Sequence, residues 1–348
     1  MSPYILSSLL LSLGLGTTLT FASYHWLLAW AGLEINTLAI IPLMAKHHHP
    51  RAIEATTKYF LTQATAAATL LFAAITNAWL EGQWDITQMT HPLPNTIIIM
   101  ALALKIGLAP LHSWLPEVLQ GLDLNTGLLL STWQKLAPFA LLLQIQPTSP
   151  HLTTILGLTS TLVGGWGGMN QTQLRKIMAY SSIAHLGWMV LVLQFAPSLT
   201  LLTLLTYIMM TTATFLMLSR GQATNINSLA LSWTKTPALA CTAPLILLSL
   251  AGLPPLTGFM PKWMIILELS NQGLTVTATI AALSALLSLY FYLRISYAIT
   301  LTISANTTTG ASLWRTESNH ATVPLALSST ITICLLPLTP GVITLLSL

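Results

Sequence analysis

The sequence predicts an all-α polytopic membrane protein with about eleven transmembrane helices. Three observations support this fold class: only 6% of the 348 residues are charged, 54% are hydrophobic, and the mean hydropathy is +0.74. Soluble domains carry roughly 25% charged residues, so a chain this poor in charge could not stay dissolved. The composition excludes a soluble enzyme, a disordered chain and a nucleic-acid-binding domain, since the basic pI reflects a net charge of only +4.

The predicted spans follow the apolar stretches of the chain, because a membrane-crossing helix needs about 20 mostly apolar residues. The connecting segments are short, so neighbouring helices should pack antiparallel, and none could form a separate domain. The first span starts near residue 3 without a basic region or cleavage site, so no cleavable targeting segment is expected. The candidate spans are 3–21, 25–45, 54–80, 95–121, 125–144, 150–170, 175–194, 198–218, 237–270, 274–303 and 322–346.

The distribution of Lys and Arg predicts the orientation of these spans. With eleven spans, the loops on the N-terminal side carry eight basic residues, counting one just inside the third span. The opposite loops carry none and hold only Glu81 and Asp85. Because basic residues favour the cytoplasmic or matrix side, we expect the N-terminus there and the C-terminus opposite. The eight residues are Lys46, Arg51, Lys58, Arg175, Lys176, Arg220, Lys235 and Arg315.

Spans four and nine contain Gly and Pro in the middle of an apolar stretch, where a helix must break. The segments 107–117 and 252–262 align without a gap at an offset of 145, and Gly, Leu, Pro, Leu and Pro match. Isolated Pro kinks are common in membrane helices, which is one interpretation. An aligned pair of interrupted helices in the two halves of a chain instead indicates a transporter-like site between repeats.

Four charged residues lie within the predicted spans rather than in loops. Lys105 and Lys135 each lie about ten residues into a span and Glu34 about nine, which at 1.5 Å per residue is near the midplane of a ~30 Å hydrocarbon core. Lys262 follows the break in span nine. A charge at such depth costs about 3 kcal/mol even on lenient scales. Four of them are therefore candidate functional residues.

These residue types suit proton transfer. Burial lowers the pKa of a lysine and raises that of a glutamate, whereas contact between them keeps both charged, so making or breaking that contact would switch protonation. Lysine can release its proton, and arginine cannot. His112, inside the first break, and His185, about ten residues into span seven, titrate near neutral pH. The six residues predict a chain of proton sites bridged by water.

Each residue also has a structural interpretation. Glu34 and one lysine could form a static salt bridge that locks helix packing, and His185 could simply hydrogen-bond a neighbouring helix. The ammonium of Lys262 could reach the membrane interface while its apolar stem stays in the hydrocarbon core. The same interpretation is preferred for Arg294, which lies nearer the end of its span. The three adjacent histidines at 47–49 cannot all turn toward one ion, so no metal site is expected.

No redox cofactor is expected in this chain. Cys241 and Cys334 are far apart, whereas an iron–sulfur cluster needs about four cysteines. The intramembrane histidines offer no matched pair of haem ligands, and the sequence contains no nucleotide-binding fingerprint.

Five segments resemble the chain 2 family of the antiporter-like membrane subunits of NADH:ubiquinone oxidoreductase (respiratory complex I). The similarity covers the whole chain, and the threonine-rich spans and the span count resemble the vertebrate mitochondrial form. Bacterial relatives have three further N-terminal helices, and the family also includes subunits of cation/proton antiporters. The segments are HWLLAWAGLEIN (25–36), PRAIEATTKYF (50–60), KIGLAPLHSWLPE (105–117), RKIMAYSSIAHLG (175–187) and GLPPLTGFMPKW (252–263).

The resemblance implies one transmembrane domain over 1–348. It would contain two inverted repeats of five helices, each with one broken helix, at about 3–144 and 150–303, followed by a final helix at about 322–346. The family's proton path runs from a glutamate to a lysine on the first broken helix, a lysine on the next helix and a lysine on the second broken helix. These positions fall on Glu34, Lys105, Lys135 and Lys262.

The sequence is therefore interpreted as a core membrane subunit of complex I that contributes to redox-driven proton translocation. It would lie in the mitochondrial inner membrane, with its N-terminus in the matrix and its C-terminus in the intermembrane space. NADH, flavin, iron–sulfur clusters and ubiquinone would be handled by other subunits. Its partners would be other membrane subunits and lipid rather than nucleic acid, and the absent helices argue against a stand-alone monomer. The alternatives are a subunit of a cation/proton antiporter and a structural membrane spacer.

Overall fold

The computed structural model describes residues 2–46, 48–145, 150–234, 237–301 and 322–347, and its regular secondary structure there is helical, as predicted. Within them, β-type contacts are limited to isolated bridges between loop residues. The chain divides into two compact units, Met1–Leu156 (unit 1) and Gly157–Leu348 (unit 2), and the boundary falls inside one helix. The predicted basic loop residues Lys235 and Arg315 lie outside the described residues.

Five of the helices in unit 1, α1 to α4 and α8, begin at proline or after a capping side chain. The imidazole Nδ1 atoms of His25, His49 and His91 accept hydrogen bonds from backbone N–H groups two residues later, at 3.2–3.4 Å. These bonds satisfy donors that the first helical turn leaves unpaired. The helices are α1 (Pro3–Ala22), α2 (Trp26–Met44), α3 (Pro50–Glu81), α4 (Pro92–Ile106), α5 (Trp114–Gly121), α6 (Leu124–Ser131), α7 (Trp133–Gln144) and the start of α8 (Pro150–Gly168).

Glycines bring α1 and α2 into close contact. A Cβ atom placed on Gly32 would lie 2.8 Å from Thr20 Cγ2 and 2.9 Å from the Gly16 carbonyl oxygen, so a larger residue would push the backbones apart. Small residues are the usual device for such packing between membrane helices, where the hydrophobic effect contributes little. This contact fixes the position of α2, which carries Glu34.

Unit 2 contains the rest of α8 and eight further helices within the described residues. One part of its core joins Trp188 and Leu191 to Ile265, Leu269 and Ala281. The helices are α9 (Leu174–Val192), α10 (Pro197–Gly221), α11 (Ile226–Ala230), α12 (Pro237–Ala251), α13 (Phe259–Asn271), α14 (Thr275–Leu301), α15 (Thr322–Cys334) and α16 (Thr339–Ser347), with 3₁₀ turns at Leu231–Thr234 and Leu336–Leu338.

Five of the described helices are long and apolar enough to cross a membrane, and a sixth candidate is the bent pair Thr322–Cys334 and Leu336–Val342. The five are α1, α2, α3, α10 and α14. The other predicted spans correspond to helices that are shorter, less apolar or interrupted. The count of eleven therefore stays a prediction, whereas the all-helical membrane class is confirmed.

The predicted span at 125–144 is occupied by two helices, with an interruption at Thr132 that the sequence analysis did not predict. The helix α6 ends at Ser131 and α7 begins at Trp133, with φ −113° and ψ −68° at Thr132. The Thr132 hydroxyl donates a 2.7 Å hydrogen bond to the Leu128 carbonyl. Such a bond back to the preceding turn competes with the helical ladder and bends helices. The interruption lies three residues before Lys135.

Candidate functional site

The two predicted breaks are present, lie at equivalent positions and begin with the same glycine conformation. The helix α4 ends at Ile106 and α5 begins at Trp114; in unit 2, α12 ends at Ala251 and α13 begins at Phe259. Each boundary of the second pair lies 145 positions after its counterpart in the first. The first residues of the two breaks, Gly107 and Gly252, have φ angles of +87° and +81°. Glycine is required there because side chains disfavour positive φ.

Polar side chains satisfy the backbone carbonyls that the first break frees. The Trp114 indole donates a 3.1 Å hydrogen bond to the Leu104 carbonyl, and the Gln63 amide donates a 3.3 Å bond to the Lys105 carbonyl. Trp114 also lies against Tyr59, with ring centroids 5.8 Å apart. The helices α3, α4 and α5 are thereby held together around the last turn of α4, which is the turn that carries Lys105.

The Lys105 side chain is buried in unit 1, with only 6% of its surface exposed. Its ammonium has no hydrogen-bond partner among the described residues. A buried cation without hydrogen bonds is unfavourable, so packing alone gives no reason for a lysine here. This is the environment expected of a group that changes its protonation or its partner.

Glu34 on α2 interacts electrostatically with Lys105 and with Tyr59. Among the described residues of unit 1, Glu34 and Lys105 do not form a direct ion pair, and their interaction is electrostatic only. One carboxylate oxygen, Oε2, is buried without a hydrogen bond in the described part of the chain. The static contact salt bridge considered above is therefore not the arrangement in this structure, although the two charges are within electrostatic range.

Lys135 is also buried, with 3% of its surface exposed, and it lies just after the interruption at Thr132. Its backbone N–H donates a 3.3 Å bond to the Thr132 carbonyl, which belongs to the irregular turn. The neighbouring Gln134 amide donates a 3.3 Å bond to the Asn36 carbonyl. This bond fixes α7 against α2 beside both lysines.

A small polar cavity of about 20 Å³ joins these groups inside unit 1. Both Lys105 and Lys135 line it, and so do Gln63 and Tyr59 from α3. A cavity of this size, with several polar neighbours, can hold about one water molecule. The structure therefore brings two of the predicted relay lysines to one shared space. Its further lining residues include Leu33, Asn36, Thr37, Trp114, Gln134 and Pro138.

Lys262, in unit 2, has a different environment from Lys105. Its ammonium donates hydrogen bonds to the carbonyl oxygens of Ala251 at 2.8 Å and Leu250 at 3.4 Å. These are the last carbonyls of α12, which lack partners within the helix. The stem passes over Gly252, where a Cβ atom would lie 3.0 Å from Lys262 Cδ. Lys262 thus caps α12 across the second break rather than extending to the interface.

The two predicted histidines are not buried as fully as Lys105 and Lys135. His112 lies in the first break, where its Nδ1 is 3.3 Å from the Pro110 carbonyl oxygen at an exposed position, and it does not line the cavity. His185 on α9 is half-buried, with its ring 5.7 Å from that of Tyr207. Tyr207 in turn hydrogen-bonds Ser182.

Arg294 also departs from its sequence interpretation. Its guanidinium donates hydrogen bonds to the carbonyl oxygens of Met169 at 2.6 Å and Gln171 at 2.7 Å. It therefore holds the turn that follows α8 instead of extending toward lipid headgroups. Arginine suits this contact because its planar group can donate two bonds at once.

Sequence reasoning did not single out Tyr59 or the three amide residues beside the cavity, Asn36, Gln63 and Gln134. A signal for the amides was present, because each is an uncharged polar residue within an apolar span. Such residues must find partners in the membrane interior. The prediction was based on charged residues and histidines and therefore did not include them.

Comparisons with known proteins match the whole chain. A family model described as NADH:quinone oxidoreductase/Mrp antiporter, TM, matches residues 23–288, and one described as NADH dehydrogenase subunit 2 C-terminus matches residues 289–343. NADH-ubiquinone oxidoreductase chain 2 of Tetraodon nigroviridis is 69% identical over 348 residues, covering 100% of both chains. The corresponding protein of Carassius auratus is 67% identical over 346 residues and covers 99% of both.

A similar solved structure is a chain of respiratory complex I from Thermus thermophilus with bound aureothin. The TM-score is 0.85 at 29% sequence identity, over 97% of this chain and 78% of that chain. With 97% of this chain covered, the similarity extends over both units.

Proposed function

The chain belongs to the NADH-ubiquinone oxidoreductase chain 2 family, and from this premise we propose that it is a proton-translocating membrane subunit of complex I. It works as part of an oxidoreductase made of several subunits, in the mitochondrial inner membrane. Flavin, iron–sulfur clusters and the sites for NADH and ubiquinone belong to other subunits. This chain's own residues contribute proton sites inside the membrane.

The observation that carries this proposal is the cavity shared by Lys105 and Lys135. A proton on the Lys105 ammonium passes to a water in the cavity, while a different proton passes from that water to a neutral Lys135 amine. The water is regenerated, and one positive charge moves from α4 to α7. Glu34 stabilises the charged form of Lys105, so a change in the distance between them shifts the position of the proton.

Lys262 and His185 serve the same relay in unit 2, and His112 exchanges protons at the exposed side of the first break. For Lys262 to release a proton, its amine must leave the carbonyl oxygens of Ala251 and Leu250 or lose charge while in contact with them. Proton transfer through Lys262 is therefore coupled to the end of α12. This coupling connects the charge of one residue to the backbone of the break.

The proposed architecture has eleven spans, with inverted repeats over about 3–144 and 150–303 and a final helix over about 322–346. The N-terminus lies in the matrix and the C-terminus in the intermembrane space. The equal spacing of the two breaks supports the repeats, and the absence of Lys and Arg from the opposite loops supports the orientation.

Substitutions of the cavity lysines in the assembled complex test the relay. Lys135→Met keeps the apolar stem but removes the amine, so proton pumping should fall while the complex still assembles. Lys105→Arg retains the positive charge but cannot deprotonate, and it should also lose pumping. The matched control is Lys58→Met, since Lys58 is an exposed lysine paired with Glu54 and Glu117. Normal pumping by an assembled Lys105→Arg complex would exclude a relay role for Lys105.

The second candidate function is that of a structural membrane spacer. The contacts of Lys262 favour a structural role for that residue. A lysine that caps a helix end has a role without releasing a proton. The two candidates differ for Lys262→Arg, which retains donors to the carbonyls. The spacer predicts normal pumping in this variant, whereas the relay predicts loss.

A further inference from the structure

Asn36 is a buried residue whose side chain has no assigned role in the relay described above. It lies on α2, and only 2% of its surface is exposed. Neither its Oδ1 nor its Nδ2 has a hydrogen-bond partner among the described residues. Burying both ends of an amide in this way is unfavourable, so the carboxamide requires an explanation.

The position of Asn36 connects it with the lysines. It lines the same cavity as Lys105 and Lys135, together with Leu33 and Thr37 from adjacent positions on α2. Glu34, although only two residues away, is not among the cavity-lining residues. The face of α2 toward the cavity therefore presents an amide, and the carboxylate lies to the side.

The backbone around Asn36 is held firmly. Its carbonyl oxygen accepts the 3.3 Å hydrogen bond from Gln134, next to Lys135. The carboxamide itself lies against Gly16 of α1, where any added Cβ atom would collide with Asn36 Oδ1. This contact and the bond from Gln134 hold Asn36 in place on α2 beside the cavity.

We propose that the Asn36 carboxamide binds and orients a single water molecule in this cavity, between Lys105 and Lys135. The cavity volume of about 20 Å³ fits one water, and a buried water usually makes about three hydrogen bonds. Asn36, Lys105 and Lys135 all line the cavity, and their polar groups can supply that number of partners. The inference rests on the proposed proton relay and makes Asn36 a positioning residue within it.

Asn36 changes no bonds itself. Its amide holds the water so that one lone pair faces the Lys105 ammonium and one O–H bond faces the Lys135 amine. The Lys105 N–H bond breaks as a new O–H bond forms, and the water O–H bond toward Lys135 breaks as a new N–H bond forms there. Water, proton number and net charge are conserved. Without Asn36 the water would be free to rotate, and this geometry would be reached less often.

The test compares Asn36→Leu with Asn36→Ser in the assembled complex reconstituted into liposomes. Leucine keeps most of the volume but removes the polar group, whereas serine keeps a polar group and leaves space for another water. The inference predicts that initial pumping falls about tenfold in Asn36→Leu, the factor for one lost hydrogen bond in the transition state. Asn36→Ser should retain more of the initial pumping rate than Asn36→Leu. The D₂O isotope effect on pumping should increase in Asn36→Leu.

The matched control is Asn77→Leu, because Asn77 is a fully buried asparagine of α3 with an unbonded Oδ1 in the described structure but no place at the cavity. It should pump normally once assembled. If Asn36 only packs against Gly16, the order reverses, with Asn36→Leu pumping normally and Asn36→Ser assembling poorly. That reversed order, or an unchanged isotope effect, would overturn the inference.

The inference can fail separately from the relay. Loss of pumping in Lys135→Met together with normal pumping in Asn36→Leu would reject only the role of Asn36. Normal pumping in Lys135→Met would reject the relay itself, whatever the result at Asn36.

Discussion

Replacing Lys105 or Lys262 by methionine makes the same chemical change at two lysines with different surroundings. Both variants lose a cation and keep an apolar chain of similar length. Both also lose the cost of holding a charge in the membrane interior, about 3 kcal/mol on insertion scales. This shared gain cancels when the two variants are compared with each other, so their difference reports the contacts of each ammonium.

The contacts of Lys262 give the magnitude of that difference. Its bond to the Ala251 carbonyl, at 2.8 Å, has the length of a charge-assisted hydrogen bond, which contributes about 1.5–3 kcal/mol. The bond to Leu250, at 3.4 Å, is too long to add much. The Lys105 ammonium has no such bond within the described residues. We therefore expect the end of α12 to lose about 2 kcal/mol in Lys262→Met relative to the end of α4 in Lys105→Met.

Hydrogen exchange of the detergent-solubilised complex measures this difference locally. Amides near the end of α12 should exchange about 30-fold faster in Lys262→Met, the factor that corresponds to about 2 kcal/mol. Amides near the end of α4 should not exchange faster in Lys105→Met. Lys262→Arg is the control, because it keeps a donor. Equal acceleration at both helix ends would refute the assignment of Lys262 as a cap and of Lys105 as an ammonium without hydrogen bonds.

Three further predictions address the breaks, the arginine and the topology. Gly107→Ala and Gly252→Ala should each destabilise their break by about 1–2 kcal/mol, because both positions need positive φ, and so lower the thermal midpoint of the complex. The control is Gly14→Ala, where the added Cβ meets no atom within 4 Å. This variant should leave the thermal midpoint unchanged. Arg294→Met should lower that midpoint more than Arg294→Lys, because lysine can restore only part of the bonding to Met169 and Gln171; equal midpoints would contradict the capping role. The topology can be tested in a chain with Cys241 and Cys334 changed to serine. Cysteines placed at 46–52 and 219–236 should be labelled from the matrix side, and one placed at 145–149 from the other side. Labelling of all three from one side would exclude eleven spans.

The sequence was sufficient to predict the class of fold and the position of both breaks. Low charge and long apolar stretches leave few alternatives to a helical membrane protein. The breaks could be located because glycine and proline act on their own backbone: positive φ at Gly107 and Gly252 depends on local sterics rather than on distant contacts. The burial of Lys105 and Lys135 also followed from counting residues along each span.

The surroundings of each side chain could not be predicted in the same way, because they depend on contacts between helices. Nothing near Lys262 in the sequence shows that its ammonium reaches back to Ala251, eleven residues earlier, across a break whose path is set by tertiary packing. The bend at Thr132 depends on whether a hydroxyl bonds its own helix or a neighbour. Asn36 was missed because its importance comes from a cavity assembled by α2, α3, α4 and α7.

The two breaks lie at equivalent positions and both begin at a glycine with positive φ, but they differ in the placement of charge, and this difference bears on the proposed mechanism. At the offset of 145, Lys105 corresponds to Leu250, and Lys262 corresponds to Glu117, which pairs with Lys58 at an exposed position. The first break therefore places its buried cation before the interruption, beside a cavity, whereas the second places it after the interruption, on the carbonyls of the preceding helix. A cation beside a cavity can lose its proton without disturbing the backbone. A cation that caps a helix weakens that cap when it loses its proton, because the neutral amine keeps N–H donors but no longer forms charge-assisted hydrogen bonds. In the proposed relay, proton transfer at Lys105 would leave the helix end unchanged, whereas proton transfer at Lys262 would weaken the contact at the end of α12, which makes Lys262 the better placed of the two lysines to connect proton transfer with conformational change.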